Sequence, residues 1–291
     1  MRVSVVIPTF NADAYLATLI NSLIGQTVNP EILVIDSDSQ DETASIARRY
    51  ADRIQFLQIS RSAFDHGGTR DFALRQTSGD IVCFFTQDCL PCAENSLERL
   101  VAAFQDPAVA ATFGRQIARP DAPAYEQFTR EFNYPKKSRV WRERDIESLG
   151  VKAYFFSNAF SAYRREAYEA AGGFDTAVAS NEDMLFAAKL LHEGYALAYV
   201  ADAMAYHSHH HSFLEEYLRY RTSGCIMRQY ESRLAGAANT PSEGIRMVRH
   251  VCNGLVDSGK VLQAPAFLAH VAVRFAGNRI GGMQARHVKR T

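Results

Sequence analysis

Three short apolar runs early in the chain each end on polar residues able to hold a ligand. Ile81 to Phe85 stops at Thr86-Gln87-Asp88, Glu31 to Asp36 runs into Ser37-Asp38, and Val3 to Pro8 turns at Thr9-Phe10-Asn11. A carboxylate in such a place can cap a turn or helix, or it can hold a hard divalent cation alongside a substrate's phosphates. Asn181-Glu182-Asp183 opens an amphipathic run to His192. Its acids either favour a helix N-terminus electrostatically or supply a general base. His66-Gly67-Gly68-Thr69-Arg70 enters another helix. Its glycines would let backbone approach a phosphate, and Arg70 could pair with a diphosphate in a bidentate way. An ordinary turn with a solvated arginine is the plainer alternative. His207 and His209 belong to a histidine-rich stretch that is either solvated surface or a source of imidazole for Mn²⁺. Cys89-Leu90-Pro91-Cys92 mimics a redox or zinc motif, but no second cysteine pair stands at zinc spacing.

Strands and helices alternate in a way that would bring the first three groups together. Strand patterns at Val3–Pro8, Glu31–Asp36, Ile54–Ile59 and Ile81–Phe85 are separated by helical patterns at Ala12–Gln26, Thr43–Tyr50 and after Arg70. That alternation predicts an α/β fold with a mostly parallel central sheet and helices on both faces. Parallel strands present their carboxyl ends on one rim, where open α/β sheets bind ligands. The rim lacks a GxGxxG turn, so a nucleoside diphosphate met by a metal fits it better than a dinucleotide. Further along, Glu94–Phe104 reads as helix, Val109–Phe113 as strand, Tyr154–Tyr163 as strand and Arg164–Ala171 as helix. Ala196–Val200 reads as a last strand and Ser212–Arg233 as a long helix. Between Pro120 and Gly150 the periodicity dissolves into charged and aromatic residues, which suits a lid, an acceptor-facing insertion or local core.

The chain of 291 residues has zero formal net charge, which gives no hint of a nucleic-acid partner. From Arg219 onward twelve Lys and Arg face three Asp and Glu, so an acidic body precedes a basic tail. Residues 1–230 are expected to form the catalytic domain and 231–291 a basic helical C-terminal extension. Five cysteines and no long apolar run fit a cytoplasmic protein without a membrane span. Phe267, Leu268, Val271 and Phe275 recur at helical spacing near Arg274 and Arg279. They could rest on an anionic membrane surface, peripheral to the cytoplasmic face of the inner membrane, or simply pack on the body.

The opening VSVVIPTFN, the VIDSDSQDET turn, the strand ending in TQD, the GGFD of Gly172 to Asp175 and the NED of Asn181 to Asp183 resemble glycosyltransferase family 2. The FDHGGTR of Phe64 to Arg70 and Thr86-Gln87-Asp88 resemble its bacterial rhamnosyltransferase branch. The resemblance spans roughly residues 3 to 225 and implies the GT-A fold. It also implies inverting sugar transfer from a nucleotide diphosphate in cell-surface polysaccharide biosynthesis.

On that resemblance Asp183 is the catalytic base, and Pro8, Thr9, Asn11, Asp36, Asp38, His66, Gly67, Arg70, Gln87 and Asp88 bind the nucleotide sugar. Asp38 stands where the branch usually has glycine, leaving open which carboxylate reaches the base. Asn158 and Glu182 fall to the acceptor, and Asp88, His207 and His209 to Mg²⁺ or Mn²⁺. Thr86 replaces the first aspartate of the family's DxD motif, so the cation would lean on phosphate oxygens and water. The implied donor is dTDP-L-rhamnose and the acceptor a saccharide or polyprenyl-linked glycan. The alternatives are a UDP-hexose or UDP-N-acetylhexosamine donor, or an inactive carbohydrate-binding homologue.

Overall fold

The computed structural model describes residues 1–176, 178–208, 211–234 and 241–288. Four strands, β1 (Val3–Thr9), β2 (Glu31–Asp36), β3 (Gln55–Gln58) and β4 (Ile81–Phe85), lie parallel, in the order β3-β2-β1-β4. Helices α1 (Asp13–Ile24), α2 (Thr43–Arg49) and α3 (His66–Arg75) connect them. Every residue of β4 is buried. Val82 and Phe84 belong to one core cluster and Ile81, Cys83 and Phe85 to another, so the strand feeds apolar groups to both faces.

Beyond β4 the sheet becomes mixed. Strand β5 (Leu90–Pro91) and helix α4 (Ser96–Ala102) lead into β6 (Val109–Ile117), then α5 (Ala124–Asn133), β7 (Arg139–Trp141) and α6 (Ile146–Leu149). Strand β8 (Phe160–Arg164) follows, then α7 (Arg165–Ala170), α8 (Glu182–His192) and β9 (Ala196–Tyr206). β8 runs antiparallel between β4 and β6, and β6 pairs parallel with β9. The sequence reading begins β8 at Tyr154, but a 3₁₀ turn occupies Gly150–Tyr154 and the strand starts only past Ser157-Asn158. Those two polar residues turn the chain into the site instead of joining the ladder. β6 and β9 each run several residues past their expected ends, which carries Gln116 and His207 to the rim.

The stretch without periodicity is ordered structure. Tyr134 and Trp141 are buried edge-on around Phe113. Tyr125 and Phe128 pack with Val251, Leu255 and Phe267 from the C-terminal helices. Those helices are α9 (Phe213–Gln229), α10 (Pro241–Asp257) and α11 (Ala264–Val288). α9 and α11 meet backbone to backbone: a methyl group on Gly224 would overlap the carbonyl of Asn278, and one on Gly281 that of Arg221. Gly277 approaches Tyr217 in the same manner. Glu216, buried on α9, clasps α11 through Arg274 at 2.6 Å and His270 at 2.8 Å.

α9 and α11 thus pack together across the boundary expected at residue 230. α11 also divides the apolar stripe expected on it. Phe267 is buried and Val271 half-buried, whereas Leu268 and Phe275 face solvent. Among the described residues, twelve of the sixteen large exposed hydrophobic side chains lie at or beyond Phe213, Leu262 being 93% exposed. No helix of the described residues is long and apolar enough to cross a membrane.

Candidate active site

The carboxyl ends of β1, β2 and β4 are tied together by side chains. Asp36 is fully buried and accepts hydrogen bonds from Thr9 Oγ1 at 3.1 Å, the Ser39 amide at 3.1 Å, the Ser39 hydroxyl and Gln58 Nε2. Asn11 Oδ1 receives the Gln40 amide at 3.0 Å, and Ser39 Oγ receives the Asn11 amide at 2.8 Å. Gln87 clasps the backbone of Phe10, accepting its N–H at 2.8 Å and donating to its carbonyl at 3.1 Å. Asp36 and Gln87, both expected on the nucleotide, thus spend their polar groups holding the rim. Asp38 is exposed there, beside the partly exposed Pro8. Its φ of 62° lies in the left-handed region, which only glycine adopts without steric cost.

Asp88 lies just past β4, facing His207 from the end of β9. His207 Nδ1 is 2.7 Å from Gln116 Oε1, the same oxygen that receives Arg130 Nη1 at 2.7 Å. Arginine only donates, so that atom is the amide oxygen and Nδ1 carries the imidazole proton. Nε2 lies 3.6 Å from Asp88 Oδ2 and 3.4 Å from Thr86 Oγ1. A carboxylate beside an imidazole whose tautomer is fixed from behind fits a divalent cation. Among the described residues no group of three or more His, Cys, Asp or Glu could hold a metal by itself. A cation here would need oxygens from the substrate. His209 lies outside the described residues. Sequence reasoning missed Gln116, Arg130 and Arg119, whose Nη2 donates to the Asp88 carbonyl at 2.8 Å. Gln116 carries the same rim signal as the other strand ends, but it lies past Phe113, where the apolar pattern of β6 stops.

Asp183 sits in the first turn of α8, preceded by Asn181 at φ 62°. Its Oδ1 accepts the Met184 amide at 2.8 Å and its Oδ2 the Asn158 amide at 3.1 Å. Asn158 is a hub. Its Nδ2 donates to Glu182 Oε1 at 3.2 Å, and its Oδ1 accepts from Ser161 and from Tyr163 at 2.8 Å. Glu182, 5% exposed, is also 3.3 Å from Arg70 Nη1. Asn158 and Glu182, both expected on the acceptor, bond to each other, and the Asn158 backbone amide also holds Asp183. Burial pushes the Asp183 carboxyl up to about 7, and the charge of Glu182 adds to the rise against the two backbone hydrogen bonds. A carboxyl tuned there can take a proton near neutral pH.

The FDHGGTR loop is organised differently from expectation. Arg70 is 5% exposed and turns inward to Glu182 and the His66 carbonyl, because a buried carboxylate needs a counter-charge. Asp65 caps α3 through the Gly68 amide, occupying the helix end expected to receive phosphate. Gly67 lets α3 close on Phe174 and Asp175: a Cβ would lie 3.0 Å from the Asp175 carbonyl oxygen. His66, with its pKa lowered by burial, lines a 560 Å³ cavity with Asn181, Arg219, Tyr220 and Ser223. Arg219 and Tyr220 also border a 430 Å³ cavity that reaches Arg130 and Tyr134.

A rim of polar turns at the strand ends, a carboxylate–imidazole pair and a carboxyl held by two backbone amides lie on a fold of the GT-A type, that of sugar-nucleotide transferases. Residues 4–172 match the family described as glycosyl transferase family 2, and the chain belongs to that family. It is 36% identical over 285 residues to the O-antigen chain rhamnosyltransferase RfbN of Salmonella typhimurium, covering 97% of this chain and 90% of the relative. It is likewise 36% identical over 283 residues to the O-antigen chain rhamnosyltransferase WbaN of Salmonella anatum, covering 96% and 88%. Among solved structures it resembles the mannosyltransferase PcManGT of Pyrobaculum calidifontis in complex with GDP-Man and Mn²⁺. The TM-score is 0.63 at 20% identity, covering 99% of this chain and 86% of that one. The likeness to S. aureus TarS in complex with UDP has a TM-score of 0.58 at 18% identity, covering 99% and 92%. At these identities the two structures speak for the fold.

Proposed function

We propose that this chain transfers L-rhamnose with inversion from dTDP-L-rhamnose to a saccharide carried on a polyprenyl diphosphate, building a cell-surface polysaccharide at the cytoplasmic face of the membrane. The observation that carries the chemistry is Asp183, held by two backbone amides with its proton affinity raised to about 7. The donor and the polysaccharide come from the two rhamnosyltransferase relatives, which align over nearly the whole chain. In the transfer the acceptor oxygen bonds to the anomeric carbon as the bond from that carbon to the diphosphate oxygen breaks. The acceptor's proton passes to an Asp183 carboxylate oxygen, and dTDP departs with the electron pair. The Asn158 amide holds Asp183 in place, and Asp38 offers an exposed carboxylate at the rim for the nucleoside. Asp88 and His207 would hold Mg²⁺ or Mn²⁺, which when bound neutralises charge on the departing diphosphate.

The test is donor hydrolysis and calorimetric binding across dTDP-L-rhamnose, UDP-glucose and UDP-N-acetylglucosamine, with and without Mn²⁺. Preference for dTDP-L-rhamnose is the expected result. A clear preference for a UDP-sugar overturns the donor, and no turnover of any donor overturns the activity.

A further inference from the structure

We propose that a cavity at the end of β6 is an anion subsite on the acceptor side, shaped for a diphosphate. This rests on the transfer reading of the site above and names the part of the acceptor it would grip. The cavity, about 440 Å³, is lined by Arg115, Arg119, Arg130, Gln116 and Gln127, with Glu131 as its acid. Three guanidinium groups around one open space repel one another unless something anionic lies between them. None of the three forms an ion pair with a carboxylate of the described residues. Glu131 stands at an exposed position and leaves the cavity with an excess of positive charge.

Arg115 is the most telling member. It leaves β6 where the register with β9 is broken, between Gly114 and Arg115, and its Nε is buried without a hydrogen-bond partner. Buried donors are almost always satisfied, so this residue, which lines the cavity, carries an unmet donor. The other two arginines are each fixed by one bond and keep further donors. Arg119 gives one to the Asp88 carbonyl at 2.8 Å, and Arg130 one to Gln116 Oε1 at 2.7 Å. Planar guanidinium forks held in this way suit paired phosphate oxygens better than a single charge.

Strand order sets β6 farther from the turns after β1 and β2 than Asp88 is, while Arg119 reaches back over Tyr15 of α1 and ties the cavity to the metal-holding pair. The turns expected to face the nucleoside follow β1 and β2, and Asp88 follows β4. The sheet continues through β8 to β6, two strands away from β4. Gln116 connects the two regions, because one amide oxygen receives both His207 from the metal side and Arg130 from the cavity side. An anion here would lie next to, and not on, the donor's own diphosphate. The chemical group that fits is the diphosphate joining an acceptor sugar to its lipid. A sugar carboxylate offers the same charge in a smaller form.

The experiment uses the full chain saturated with dTDP, with citronellyl diphosphate and glucuronate as probes for calorimetry at constant ionic strength. Wild-type protein should bind citronellyl diphosphate in preference to glucuronate. Arg115→Gln should weaken that binding about 10- to 100-fold, as expected when a charged hydrogen-bonding partner is lost. Arg115→Lys, keeping charge without the fork, should fall between and shows that the effect is not unfolding. Equal binding by wild type and Arg115→Gln, or no binding by wild type, overturns the subsite. Tighter binding of glucuronate overturns the diphosphate assignment. Loss of dTDP affinity in Arg115→Gln by the same factor would return the arginine to the donor side and overturn it too. Donor hydrolysis by the wild type tests the transfer reading separately, since it needs no acceptor.

Discussion

Replacing Asp183 with asparagine should make the protein more stable while it stops turning over. The carboxyl has an unfolded value near 3.8 and is raised to about 7 in the fold, so ionising it in place opposes folding. Because the folded value is the higher, the cost is absent below the unfolded value, grows as the pH climbs, and levels off above about 7. A rise of this size corresponds to about 4 kcal/mol, at ~1.4 kcal/mol for each tenfold change in proton affinity. Water reaching the carboxylate's open side discounts this to about 2–4 kcal/mol. Asparagine carries no charge to bury but keeps only one of the two oxygens, so one of the Met184 and Asn158 amides loses its acceptor, at about 1 kcal/mol. Urea unfolding at pH 8 should therefore show Asp183→Asn more stable than wild type by about 1–3 kcal/mol, with the order reversing below about pH 4. Transfer should fall about 10²- to 10⁴-fold, the usual contribution of a general base, with dTDP affinity unchanged. Wild-type transfer should rise with pH through an acid limb near 7. A variant no more stable at pH 8 than wild type, or one that keeps its turnover, refutes the argument that burial tunes this base.

Three other outcomes are expected. Gln116→Leu removes the acceptor of the His207 Nδ1 proton, so Mn²⁺ affinity in the presence of dTDP should drop about 10- to 100-fold by calorimetry; an unchanged affinity would detach His207 from the metal. Gly281→Ala should cost about 1–3 kcal/mol in urea unfolding, because its methyl group meets the Arg221 carbonyl; a neutral result would mean that α9 and α11 part without resistance. The intact chain should sediment with anionic liposomes in a salt-sensitive way, and Leu262→Glu with Phe275→Glu should abolish it without lowering stability. Sedimentation unaffected by the pair would move the contact elsewhere.

In the parallel half of the sheet β1, β2 and β4 were legible because they are buried on both faces and read as nearly unbroken apolar runs, whereas the edge strand β3 is half-exposed and shorter than expected. Three polar turns at the ends of those runs were enough to place them on one rim of the sheet. Which rim side chains face outward was not legible, since Asp36 and Asp38 differ in sequence only by position. Their roles separate once Thr9, Ser39 and Gln58 are seen to enclose Asp36. The inward turn of Arg70 was not legible either, because the buried Glu182 that it meets lies far away in sequence. Gln116 and Arg115 were hidden because β6 becomes polar while still pairing with β9, and a polar strand end reads as loop. The C-terminal helices were legible as helices. Their seating was not, because it depends on glycines whose meaning appears only when two backbones touch.

That seating bears on how the protein can be cut and carried into experiments. Ser223, one residue before the glycine on α9 that meets α11, receives a hydrogen bond from Asn181 at 3.2 Å, two residues from Asp183. A short, continuous path thus joins the end of the chain to the base. Trimming the basic tail at residue 230 to ease purification would strip α9 of the backbone it leans on and loosen the wall that carries Arg219 and Tyr220. A shortened protein that binds nucleotide yet fails to transfer sugar would then be reporting a lost buttress, and its inactivity should not be charged to the catalytic residues.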